Sequence, residues 1–386
     1  MILSAVLAWT LGVPQRTATE LPRPGSAVRA LNVAGVLPAW RFPQYTPARS
    51  EGLTDLIVFS VQPTAKGEVD LIDLSSSALD SIRRAKSAQK FRLWLTVGGW
   101  GRSSGFAATA ANPELRKNFI SELSFFVTKE GFDGVDFDWE HPKNAKEQAD
   151  YALLIAEAKA HFEPKKKFVS TTVPSWLELP KSIWKDVDRI HLVSYDYEGR
   201  HSTFEQAKRD ADFLIKKGAP AWKLHLGVPL YGRKITEKGQ GPALGIAEII
   251  RQFNPKPEVD EAGGFFFNGP ETLKNKVSLA RELNLGGIFA WEIGQDSTAA
   301  ENSMLRQILN AARPASATQL RPDPKPAPAT GRQSGKGEKA NKPSRSTKSS
   351  KSANSSQTTK PTKSTKSAKT ANTSSAKKPT TGKKPA

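Results

Sequence analysis

Residues Phe132-Asp133-Gly134-Val135-Asp136-Phe137-Asp138-Trp139-Glu140 decide the fold, because from Val135 onward apolar and acidic side chains alternate strictly. Successive side chains of a strand point to opposite faces. Asp136, Asp138 and Glu140 therefore share one face, and Val135, Phe137 and Trp139 share the other. At about 3.3 Å rise per residue, neighbouring carboxyls on that face lie roughly 7 Å apart. A solvated edge strand would deny Val135, Phe137 and Trp139 their burial, and inward acids with no base in the stretch are costly. A barrel strand satisfies both faces: the apolar side packs under helices and the acidic side points into the barrel mouth. Three carboxyls crowded there cannot all ionise freely, so at least one pKa is raised. Glu140 is last in the row, nearest the C-terminal rim where such barrels do chemistry. A carboxyl kept protonated at that rim meets the requirement for a general acid.

Working outward, seven more short apolar runs occur at residues 31–37, 55–61, 91–97, 167–173, 189–195, 223–229 and 286–291. Several are rich in Val, Ile and Phe, as strands buried on both faces should be. Longer amphipathic stretches separate them. One begins near Asn144 and places Tyr151, Leu154, Ile155, Ala158 and Phe162 on one face. Another opens with Pro270 and Glu271 and ends before Gly286 and Gly287. Eight strands alternating with helices over residues 28–313 predict an α/β fold, a TIM (β/α)8 barrel. A doubly wound open sheet would want a Gly-rich phosphate turn after its first strand, and LNVAGVLPAW offers none.

Both ends differ from this middle. Residues 2–13 are apolar except for Ser4 and Thr10, which suits a signal h-region in a leader over residues 1–27, although no basic residue precedes it. Residues 314–386 hold 17 Lys or Arg against Asp323 and Glu338, which accounts for +15 of the net +19. Leu320 is the only large aliphatic residue there and aromatics are absent, so this stretch is predicted to be a disordered basic tail. The chain has no cysteine, which excludes disulfides, thiol chemistry and Cys-ligated zinc. Its five histidines show no ligand-like spacing, so neither a metal site nor a cofactor is expected.

DGVDFDWE resembles the DxxDxDxE signature of glycoside hydrolase family 18, the chitinases and their relatives. Thr96-Val97-Gly98-Gly99-Trp100 is similar to the SxGG segment of that family and its following aromatic. Ser194-Tyr195-Asp196 is similar to its MxYD, with Val193 in place of Met. Tyr231-Gly232-Arg233 and Trp291 fall where the family contacts substrate, and the resemblance covers about residues 31–296. It implies substrate-assisted retaining hydrolysis of β-1,4-linked N-acetylglucosamine polymers. By resemblance Glu140 is acid and then base, and Asp138 orients the 2-acetamido group that attacks from within the sugar. Asp136 supports Asp138, and Tyr195 hydrogen-bonds the acetamido oxygen. Trp291, Trp100, Asp196, Tyr231, Arg233, Gly98 and Gly99 are the implied substrate contacts, while Asp133 is read as fixing the strand and its turn.

Two departures from the family pattern are expected to trim the sugar-binding wall. Val36 and Leu37 replace Tyr residues late in the first strand, and Val61 stands where the second usually ends in an aromatic. The stretch from Arg233 to Gly286 is too short for the α+β insertion that deepens the cleft in many members, so a shallow groove is expected. Competing readings are the same chemistry on peptidoglycan or N-glycan cores, and a non-catalytic barrel lectin. The leader implies a secreted or envelope-associated protein, and the tail an anionic cell-wall or membrane partner in preference to nucleic acid.

Overall fold

The computed structural model describes residues 30–71, 74–236 and 239–313; the leader and the basic tail lie outside these. Eight parallel strands run Asn32–Pro38 (β1), Asp55–Pro63 (β2), Arg92–Gly98 (β3) and Gly134–Asp138 (β4). They continue as Phe168–Pro174 (β5), Arg189–Val193 (β6), Leu224–Pro229 (β7) and Gly287–Trp291 (β8). Each pairs with its sequence neighbours, and β1 pairs with β8, so the sheet closes on itself as a TIM barrel. All eight expected strands are present. Among the described residues the α-helices are Ser76–Gln89 (α1), Phe106–Ala111 (α2), Pro113–Lys129 (α3), Ala145–Phe162 (α4), Ser182–Asp186 (α5), Phe204–Lys216 (α6), Ile246–Phe253 (α7), Pro270–Glu282 (α8) and Met304–Ala312 (α9). None is long and apolar enough to cross a membrane.

Local chemistry sets the helix starts. The Asn144 side chain accepts from the Glu147 amide at 3.0 Å and Thr203 accepts from Gln206 at 3.1 Å, capping α4 and α6. Pro at the first position opens α3 and α8, where its missing N–H costs nothing. The predicted face of α4 is its buried face: Tyr151, Leu154, Ile155, Ala158 and Phe162 are each 1 % exposed or less.

Two apolar clusters follow from strand alternation. The larger fills the layer between strands and helices and contains Val135, Phe137 and Trp139, with Trp139 stacked 5.3 Å from Phe106. The smaller lies inside the barrel and joins Val36, Ile57, Phe59, Trp94, Tyr195, Tyr231 and Phe289. The barrel floor is polar. Fully buried Asp55 accepts from Arg92 at 2.8 Å, pairs with Arg189 at 3.0 Å and takes the Trp94 indole N–H at 2.8 Å. Burial works to raise the Asp55 carboxyl, but the two guanidinium groups outweigh it and hold it at about 2.

One expectation changes. Strand β2 slips register between Val58 and Val61, which flips the parity of its last residues. Val61 therefore faces the helices, and Phe59 is the aromatic that strand two contributes to the mouth. The stretch after β7 adds a second sheet to the barrel's secondary structure. Tyr231–Lys234, Ala243–Gly245, Glu261–Ala262 and Phe265–Phe266 form a small four-stranded antiparallel sheet beside α7.

Candidate active site

Strand β4 ends at Asp138, and Glu140 lies two residues past its end. The three carboxyls have different surroundings. Asp136 is the deepest and collects donors from three neighbouring strands. Ser170 Oγ donates at 2.6 Å, Thr172 Oγ1 at 2.8 Å, His191 Nδ1 at 3.0 Å and Thr96 Oγ1 at 3.4 Å. Burial pushes Asp136 upward, but the His191 charge and these hydrogen bonds hold it below its ordinary value.

Asp138 is 6 % exposed, and burial, then Glu140 and Asp136, drive its carboxyl well above the ordinary range. Glu140 is pushed up to about 7, first by burial and then by the negative charge of Asp196. Its backbone N–H donates to Ser103 Oγ at 3.0 Å, which ties the residue to the loop after β3. The site thus has an ionised carboxylate at its base and two carboxyls disposed to carry protons near the rim.

Gly98 and Gly99 make the approach of β3 to β4 possible. Their φ angles are +95° and +93°, which favour glycine. A Cβ on Gly98 would stand 2.3 Å from the Asp138 carbonyl oxygen, and one on Gly99 would stand 2.2 Å from the Phe59 ring. The Gly99 amide donates to the Asp138 carbonyl at 2.7 Å. The glycine pair is thereby tied to the backbone that aims Asp138. Asp133 accepts the Leu93 amide at 2.8 Å and Lys86 at 2.6 Å, anchoring the start of β4.

Tyr195 follows β6 and is buried against the inner cluster, where burial and then nearby Asp196 raise its phenol well above the ordinary value. The next residue, Asp196, has a left-handed backbone with φ of +66°. Its Oδ1 accepts from Tyr231 OH at 2.6 Å and from Arg233 Nε. Although burial opposes it, His201, whose Nδ1 lies 3.7 Å away, and donation from Arg233 and Tyr231 keep Asp196 far below its ordinary value. Tyr231 is only 3 % exposed. Tyr231 and Arg233 thus serve Asp196 in this structure, and Asp196 in turn acts electrostatically on Glu140.

Aromatic groups surround the mouth. Trp291 ends β8 and meets the Phe59 ring edge-on at 4.8 Å, and Phe59 meets Trp40 at 5.8 Å. Trp100 is 82 % exposed just past β3, and Trp176 is 57 % exposed past β5, with His141 packed on its ring at 4.7 Å. Beside Trp291, Glu292 is 1 % exposed and accepts from Arg41 Nε at 2.9 Å. Sequence reasoning missed Trp40, Phe59, His141, Trp176 and His191. For Trp40 and Trp176 a signal existed: each sits two residues after the proline that ends a strand, in LPAW and VPSW.

Chitinases of known sequence and structure are similar to this chain. The chain is 29% identical over 297 residues to Chitinase 2 of Yersinia entomophaga, covering 55% of this chain and 47% of that protein. It is 24% identical over 277 residues to Probable chitinase 2 of Drosophila melanogaster, covering 55% and 57%. The chain thus spans about half the length of these curated relatives. Among solved structures, a GH18 chitinase from the chitin utilization locus of Flavobacterium johnsoniae superposes with a TM-score of 0.65 at 27% identity, covering 73% of this chain and 94% of that one. A GH18 chitinase from Cycas revoluta, at 21% identity and a TM-score of 0.64 over 73% and 99%, shares the fold. The sequence pattern of Glycosyl hydrolases family 18 matches residues 38–296, a stretch holding strands β2 to β8, the last residue of β1 and all four carboxyls of the signature, and the chain belongs to that family.

Proposed function

We propose that this protein is a retaining glycosidase that cuts β-1,4-linked N-acetylglucosamine polymers, chitin or its oligosaccharides, by substrate assistance. The observation that carries the reading is the row of carboxyls rising to the barrel rim, with Asp136 fixed by its donors, Asp138 buried above it and Glu140 last, its carboxyl pushed up to about 7. Glu140 protonates the leaving glycosidic oxygen. Asp138 hydrogen-bonds the substrate's 2-acetamido group while its oxygen attacks the anomeric carbon, and stabilises the positive charge of the resulting oxazolinium ion. Tyr195 donates to the acetamido oxygen. Asp136, held by four donors, fixes Asp138 in its resting position. Once the leaving sugar departs, Glu140 takes a proton from water, which attacks the anomeric carbon from the face just vacated, breaks its bond to the acetamido oxygen and gives net retention. Trp291 offers an indole floor to the reacting sugar, and Trp100 a platform on the leaving side.

The relatives are named as chitinases, and the Cycas revoluta structure holds (GlcNAc)4, which supports an N-acetylglucosamine oligomer as substrate. The decisive experiment is product analysis on soluble N-acetylglucosamine oligomers beside their deacetylated counterparts. Acetylated oligomers are cut with retained anomeric configuration, deacetylated ones are not, and Glu140→Gln lowers turnover at least ~10²-fold. Equal rates on the two substrates would overturn the mechanism. Residues 1–27 and 314–386 extend the proposal to a secreted or envelope-associated enzyme whose basic tail adheres to an anionic wall or membrane surface.

A further inference from the structure

The loop between β6 and α6 carries Tyr195 and Asp196, and two buried residues of opposite charge hold it from separate helices. Asp210 of α6 is 2 % exposed. Its Oδ2 accepts from Ser194 Oγ at 2.6 Å and Tyr197 OH at 2.9 Å, and its Oδ1 accepts from Ser175 Oγ at 2.6 Å and Gln206 Nε2 at 2.9 Å. Lys276 of α8 is fully buried, and its three N–H groups meet three acceptors. They reach Ser202 O at 2.9 Å, Ser202 Oγ at 2.8 Å and Asn268 Oδ1 at 2.8 Å. Asn268 Nδ2 donates back to Ser202 O at 2.7 Å.

The two anchors meet at Ser194. Its hydroxyl binds Asp210, and its carbonyl accepts the Ser202 hydroxyl at 2.8 Å. Both ends of the loop are therefore fixed to each other and to two helices, one residue from Tyr195 and two from Asp196. A buried charge is an expensive way to hold a loop: well-packed apolar residues would serve stability as well or better. Burial alone presses the Lys276 amine down to about 7, against the pull of Asp260, Asp210 and Glu205. What directed hydrogen bonds give and apolar packing does not is a single loop geometry. Asp196 needs one, because its left-handed backbone has competitors within reach.

We infer that Asp210 and Lys276 are positioning residues, which grip Ser194 and Ser202 so that Tyr195 and Asp196 are held in register with Glu140. The inference rests on the glycosidase reading. Neither residue touches substrate, so each acts on the rate through the loop. A misplacement of about 1 Å costs roughly 10²-fold in rate.

The test is a set of double-mutant cycles on a soluble N-acetylglucosamine oligomer, with melting temperature recorded for each variant. Asp210→Asn and Lys276→Met are expected to lower kcat roughly 30- to 100-fold with KM changed less than about threefold. Combined with Tyr195→Phe, each should slow the enzyme by less than the product of the two single effects, because part of each effect passes through Tyr195 and the rest through Asp196. If Lys276→Met does not fold, Ser202→Ala and Ser194→Ala remove the gripped hydroxyls and carry the same expectation at smaller magnitude. Folded variants that keep full kcat, or that multiply with Tyr195→Phe, overturn the positioning role and mark the pair as structural. An inert wild type refutes the glycosidase reading, and this role with it. An active wild type with unaffected variants refutes the positioning role alone.

Discussion

Replacing Glu140 with Gln should stabilise the protein at alkaline pH while abolishing its turnover. An unfolded chain ionises this residue near the ordinary 4.5, whereas the folded site holds the proton until about 7. Between those values the folded state binds more protons than the unfolded one, so stability falls as pH rises and the loss is complete above the folded value. At about 1.4 kcal/mol per tenfold change in proton affinity, the displacement amounts to roughly 3 kcal/mol. Gln keeps the shape but never ionises, so it escapes that loss. Relative to wild type, Glu140→Gln should therefore gain about 3 kcal/mol between pH 4 and pH 8.5, or roughly 6 °C in Tm for a barrel of this size. Urea or thermal unfolding of both proteins across that range measures it. A stability difference that stays constant from pH 4 to 8.5 would refute the claim that burial and Asp196 hold the proton on Glu140.

Asp196→Asn removes the negative charge that raises Glu140, so the alkaline limb of kcat/KM should move to lower pH; a pH–rate profile reads the shift, and an unmoved limb counts against the electrostatic link. Gly99→Ala combines a disfavoured φ with contact against Phe59 and should cost about 3 kcal/mol in a denaturant titration. Truncation after Arg313 should leave kcat on a soluble oligomer unchanged but abolish the part of wall binding that weakens between about 50 and 200 mM salt. Equal binding of the truncated barrel to sacculi at low salt would remove the anchoring role from the tail.

What was legible in the sequence had short range. Strand alternation in residues 132–140 placed Asp136 and Asp138 inside and Phe137 outside, because one period governs the whole segment and both faces have consequences. The spacing from Tyr151 to Phe162 was readable for the same reason. The partners of Asp136 were not. Ser170, Thr172 and His191 lie 34 to 55 positions away and reach it only through the register of β5 and β6. The outward turn of Val61 was hidden by the register slip in β2, because alternation assumes an unbroken period that would keep it on the face of Ile57 and Phe59. Tyr231 and Arg233 are sugar contacts by resemblance to the family, and the geometry adds that both donate to Asp196, 35 and 37 positions away.

The closure of the barrel has a consequence for how the protein is made. Strand β1 pairs with β2 across only 21 positions, Ala34 with Asp55, but its other neighbour, β8, pairs Gly287 with Asn32 across 255 positions. At synthesis rates of about 5–20 residues per second, the free edge of β1 waits roughly 10 to 50 s for that partner. Throughout that interval the nascent sheet is open, with unpaired N–H and C=O groups along an apolar strand, the form most prone to pair with another chain. Final assembly is a long-range closure step, which makes the barrel a slow folder compared with a helical bundle of equal size. Chains stalled or cleaved before Gly287 would keep two open parallel edges and have no intramolecular way to cover them.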